Sequence, residues 1–125
     1  MSEASPSKSE QIEALLHGKA YELALKYLPR DEAGSPQYRK LFNVTKKEVE
    51  KYAKQNYKWS EFACVKTAPG ERDGFYAIRV SKGYLVYDQE RGIRFDKGLV
   101  HSENDVWRLV MDYILLRSGT GFKFK

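Results

Sequence analysis

Between Gly74 and Arg117 the sequence permits few folds. Phe75-Tyr76-Ala77-Ile78-Arg79-Val80 and Tyr84-Leu85-Val86-Tyr87 are built from β-branched and aromatic residues that suit a pleated surface. Ser81-Lys82-Gly83 separates the two runs, and Gly83 can supply the positive φ of a tight hairpin turn. A second turn, Glu90-Arg91-Gly92, precedes a short strand at Ile93-Arg94-Phe95. A helix then begins near Ser102 and Asp105. In it Val106, Trp107, Leu109, Val110, Tyr113, Ile114 and Leu116 leave only the thin polar stripe of Asn104, Arg108 and Asp112. Such a helix is buried on most sides. Strand alternation puts Tyr76, Ile78 and Val80 on one face and Phe75, Ala77 and Arg79 on the other. Arg79 assigns that second face to solvent, against the preference of Phe75.

Upstream, the pattern is helical. Met1 to Lys8 reads as a disordered arm, and Ser9 as the cap of a helix starting near Glu10. Ile12, Leu15, Leu16, Leu23 and Tyr27 or Leu28 form its apolar face; Gly18 weakens its middle, and Pro29 ends it. Pro36 opens a short helical segment containing Tyr38, Leu41 and Phe42. Thr45 and Glu48 have capping-box spacing and open the next helix, with Val49, Tyr52 and Ala53 inward. Trp59 to Thr67 reads as a first strand, and Phe122-Lys123-Phe124-Lys125 as a tail able to pair with a sheet edge. The expected fold is α+β: two N-terminal helical segments, a three- to four-stranded antiparallel meander, and a C-terminal helix packed on the sheet. Residues 1–8 form the arm and residues 9–125 one domain, a normal size for a single core.

The chemistry is sparse. Cys64 is the one cysteine, so no intrachain disulfide is possible, and a reducing compartment is expected. The N-terminus has no apolar signal-peptide core and no apolar run is long enough to cross a bilayer, which points to a cytoplasmic chain without membrane partners. Cys64, His17 and His101 show no nucleophile–base spacing and no metal-ligand set, and no glycine-rich phosphate loop is present. The expectation is a protein with no enzymatic activity and no cofactor. A net charge of +5 suits nucleic acid, an anionic membrane surface or an acidic protein.

That charge is concentrated in one stretch. Arg39, Lys40, Lys46, Lys47, Lys51, Lys54 and Lys58 face only Glu48 and Glu50. Lys47, Lys51, Lys54 and Lys58 recur at three- and four-residue spacing, forming one helical stripe and the first candidate partner-binding surface. Tyr52, Tyr57 and Trp59 are interleaved with it. They either stack on bases, as in a small basic nucleic-acid-binding module, or belong to the core. Glu90 and Arg91, in the second turn, are the other candidate contacts, with the planar fork of Arg91 suited to a partner carboxylate.

The order Gly74-Phe75-Tyr76-Ala77-Ile78, Gly83-Tyr84-Leu85-Val86-Tyr87-Asp88-Gln89-Glu90-Arg91-Gly92 and His101-Ser102-Glu103-Asn104-Asp105 resembles small bacterial immunity proteins. These are the cytosolic antidotes encoded beside polymorphic toxins. The resemblance covers about the C-terminal half and transfers no individual residue role. It implies a protein that binds a cognate toxin domain and neutralises it without chemistry of its own. Antidotes to nucleases tend to be acidic, so the positive charge here implies an acidic contact surface on the toxin, or a toxin that is not a nuclease.

Overall fold

The computed structural model describes residues 5–30 and 41–118. Helix α1 spans Lys8–Leu16. It starts two residues before the expected Glu10 because Ser7, not Ser9, forms a capping box. The Ser7 hydroxyl accepts the Glu10 amide at 3.1 Å, and the Glu10 carboxylate accepts the Ser7 amide at 3.3 Å. Ser7 and Lys8, which the sequence assigns to the arm, thus belong to the cap and first turn of α1. Pro6 is buried, and its carbonyl accepts a hydrogen bond from the Gln11 side chain. Gly18, at φ +68°, breaks the helical run, and α2 follows over Ala20–Tyr27. The helical segment expected at Pro36 and the tail at Phe122 to Lys125 lie outside the described residues, apart from Leu41 and Phe42.

Helix α3 spans Lys46–Asn56, opened by the expected box between Thr45 and Glu48. The expected first strand is mostly not one. Trp59–Glu61 is a 3-10 turn, where the Glu61 carboxylate caps the Lys58 amide, and only Val65–Lys66 forms β1. Strands β2 (Gly74–Val80), β3 (Gly83–Glu90) and β4 (Ile93–Val100) follow, then α4 (Glu103–Leu116). The sheet order is β1-β2-β3-β4. The meander β2–β4 is antiparallel as expected, but β1 joins β2 in parallel, so the sheet is mixed. Residues 67–73 make this possible by turning back over the sheet rather than forming a hairpin.

Both faces of β2 are covered over its first half, where the expectation had one of them in solvent. Phe75 and Ala77 lie in the core with Tyr84 and Val86, beneath α4, and the Phe75 ring sits 5.5 Å from that of Tyr113. Arg79 does not prevent this, because it lies near the strand's end and reaches the Tyr84 hydroxyl at 3.2 Å. On the opposite face Tyr76 and Tyr87 stack with centroids 4.7 Å apart, and they are buried too. The 67–73 loop roofs them: Tyr76 donates to the Arg72 carbonyl, and Gln89 donates to the carbonyls of Gly70 and Arg72. The Arg94 guanidinium lies 3.9 Å from the centre of the Tyr87 ring and completes the cover.

Helix α4 is buried along most of its length, as its composition demands. Val106, Trp107, Val110, Tyr113 and Ile114 point inward together with Met111 and Leu115. Leu116 does not; it is 75% exposed, at the helix's last turn.

Candidate functional site

Helix α3 lies antiparallel against α4. Lys46 at its start is paired with Asp112 near the end of α4, and Lys54 near its end reaches Asn104 at the start of α4. Val49 and Ala53 are fully buried, which fixes the rotation of α3 and turns its lysines away from the core. Between the helices lies a groove of about 500 Å³, lined by Lys46, Lys47, Glu50, Lys51, Lys54 and Arg108. Five cations and one carboxylate therefore share a single concavity. Lys46 is half-buried and held by Asp112, whereas Lys54 pairs with Glu50 at 3.0 Å. Arg108 lies 3.9 Å from Asp105. Among the described residues, Lys47 and Lys51 have no ion-pair partner. Glu48, the helix's other acid, is engaged elsewhere: Lys8 donates to it at 2.6 Å, and that bond, with the Thr45 amide, holds its carboxyl below the ordinary range.

Of the expected contact residues, the fold brings Lys47, Lys51 and Lys54 together and adds Lys46 and Arg108, which the stripe alone did not include. Lys58 lies outside the groove, as N-cap of the 3-10 turn. Glu90 and Arg91 are also elsewhere. Glu90 pairs with Arg117 beyond the C-terminal end of α4, whereas Lys54 meets the N-terminal end, about 20 Å away along a helix of 14 residues. Arg91 occupies a type I′ turn with Gly92, at φ +52° and +79°, and its amide donates to Asp73 at 2.9 Å.

The interleaved aromatics are engaged within the fold. Tyr52 and Tyr57 both donate to Glu13 of α1, at 2.6 Å and 2.7 Å, and both pack on the core. Trp59 meets Tyr84 edge-on with centroids 5.6 Å apart. Glu13 also lies 3.3 Å from the Nε2 atom of His17, four residues on, and that nitrogen is 3.2 Å from the Tyr57 hydroxyl. Partial burial raises the Glu13 carboxyl, but the two tyrosine bonds and the nearby His17 outweigh it, so the pKa lies below the usual value. Bonded to that carboxylate, the Tyr57 phenol is pushed up to about 12.

This Glu–Tyr–Tyr–His cluster escaped the sequence reading, although Glu13 and His17 have the i, i+4 spacing that joins side chains on a helix. Cys64 and His17 line a common cavity of about 280 Å³, but no hydrogen bond joins them, and burial raises the Cys64 thiol. His101 lies 2.8 Å from the Lys82 carbonyl, to which its Nδ1 donates. Among the described residues there is no cluster of three potential metal ligands, and no helix long and apolar enough to cross a membrane. Comparison with protein-family models, curated proteins and solved structures finds no match. The groove is the most strongly charged concavity among these sites.

Proposed function

We propose that the chain is a cytoplasmic, non-enzymatic binding protein, an immunity protein that covers a cognate toxin domain, and that the α3–α4 groove receives acidic side chains of that domain. The observation that carries the binding reading is the pair Lys47 and Lys51, both exposed and unpaired among the described residues, in a groove already lined by Lys46, Lys54 and Arg108. Lysine ammonium groups are mobile point charges that match carboxylates without demanding a fixed planar geometry. A partner carboxylate entering there relieves the mutual repulsion of the cations. The assignment to an immunity protein rests on the strand–turn–helix resemblance described above. A module that binds single strands stacks bases on aromatic side chains beside its cations, and Tyr52, Tyr57 and Trp59 are held by Glu13 and the core instead.

The test is co-purification with the toxin domain encoded beside the gene, followed by stopped-flow association. Reversing Lys47 and Lys51 to glutamate should leave the circular dichroism spectrum unchanged and slow association by about tenfold, within the range of electrostatic steering. An unchanged rate with an intact fold removes the groove from the interface. Tight binding of mixed single- and double-stranded probes at physiological salt, steeply weakened by added salt, replaces this reading with the nucleic-acid one.

A further inference from the structure

We infer that β4 is a self-complementary edge through which two copies of this chain join their sheets about a two-fold axis at Phe95. Among the described residues, no strand pairs with the outer side of β4. The strand is eight residues long, and it leaves Ile93 58% exposed, Phe95 50% and Leu99 45%. An unpaired edge that exposes large apolar side chains is a template for another strand.

The geometry selects both partner and register. The Arg91–Gly92 turn is a two-residue loop, so Glu90 and Ile93 close it as a hydrogen-bonded pair. Alternation along the ladder makes Asp88–Phe95 the next such pair, while Arg94 and Asp96 turn their amides and carbonyls outward. At the other end the ladder slips: Tyr87 pairs with Asp96 but Val86 with Gly98, so Lys97 is the extra residue of a β-bulge. The regular outer edge is therefore short and centred on Phe95.

A two-fold axis normal to the sheet places each residue opposite one facing the same side, so it must pass through a residue and its copy. An axis at Arg94 opposes two guanidinium groups, and one at Asp96 opposes two carboxylates. At Phe95 it sets Arg94 of each copy against Asp96 of the other, with both using their free backbone groups, and brings the two phenyl rings together. In the single chain Arg94 and Asp96 already form an ion pair at 2.7 Å on that same face. Pairing two such edges produces a square of alternating charge rather than a clash. The contact is isologous and uses up β4, and β1, the other edge of the sheet among the described residues, is only two residues long, so association stops at two copies.

Sedimentation velocity on the full chain, in a concentration series up to about 100 µM, should show a dimer. Arg94→Asp or Asp96→Arg alone sets like charges opposite each other and should raise the dimer Kd at least about tenfold. The double variant R94D/D96R rebuilds both pairs in inverted order and should return Kd to within about threefold of the parent. If a single reversal unfolds the chain by circular dichroism, Phe95→Lys, which sets two ammonium groups at the axis, reads the same contact. A chain monomeric throughout the series overturns the proposal. So does a dimer indifferent to the reversals, or one that the double variant fails to restore.

Discussion

Glu13→Gln tests the bond cluster that ties α1 to α3. In the parent, the Glu13 carboxylate accepts the Tyr52 hydroxyl at 2.6 Å and the Tyr57 hydroxyl at 2.7 and 2.8 Å, and lies 3.3 Å from His17. Glutamine keeps the shape and one acceptor oxygen but loses the charge, so one charge-assisted bond becomes neutral and another is lost. A hydrogen bond to a charged group contributes about 1.5–3 kcal/mol when buried. The Glu13 side chain is 39% exposed, and screening brings the expected loss to about 1–2 kcal/mol. For a chain of this size that lowers Tm by about 5 °C.

A second readout is specific to the cluster. The Tyr57 phenol should titrate near 12 in the parent, followed by phenolate absorbance, and fall toward the ordinary 10.0 in the variant. The signs follow from linkage. Tyr57 has a raised folded pKa, so its share of stability is intact below about 10 and drains as pH rises toward 12. Glu13 has a depressed pKa, so its share is present above 4.5 and is lost as pH falls through the carboxylate's lowered value. A parent in which every tyrosine titrates near 10, or a variant with an unchanged titration and melt, refutes the cluster.

Trp107→Ala removes a buried aromatic 6.3 Å from the Phe62 ring and should cost about 3–5 kcal/mol, read from a denaturant melt. Gly83→Ala places a Cβ 2.1 Å from the Val100 carbonyl oxygen at φ +146°, and should cost about 3 kcal/mol by the same assay, with loss of amide protection along β4. Gly92→Ala meets no atom within 4 Å, and at φ +79° should cost only about 1 kcal/mol, so the two glycines separate close approach from backbone strain.

The elements that sequence placed well are those where local chemistry and tertiary demand agree. Thr45 and Glu48 form their box, the Ser81-Lys82 and Arg91-Gly92 turns join the strands expected, and the apolar face of α4 from Val106 to Leu115 is buried. Errors arose where they compete. Ser7 and Ser9 are both competent caps, and the one with Glu10 three residues ahead prevails. Arg79 assigns a whole face of β2 to water on polarity alone, but its long side chain at the strand end escapes by its own reach, whereas the wholly apolar Phe75 ring has no polar tip and packs against Tyr113. Trp59 to Thr67 has strand composition, yet the Lys58–Glu61 bond closes a 3-10 turn before pairing begins.

The candidate site was half legible for a related reason. Helical spacing alone aligns Lys47, Lys51 and Lys54, since it depends only on 3.6 residues per turn. A stripe becomes a groove only when a second wall is present. That wall is α4, whose Arg108 was read merely as part of a polar stripe. Lys46 shows the same gap: it falls outside the stripe's spacing, but contact with Asp112, 66 residues away, draws it half inside the groove. Lys58 fails for the opposite reason. It continues the spacing past Asn56, where α3 has ended, so the periodicity no longer describes the chain. The charge that distinguishes this surface thus belongs to a helix pair, and neither helix specifies it alone.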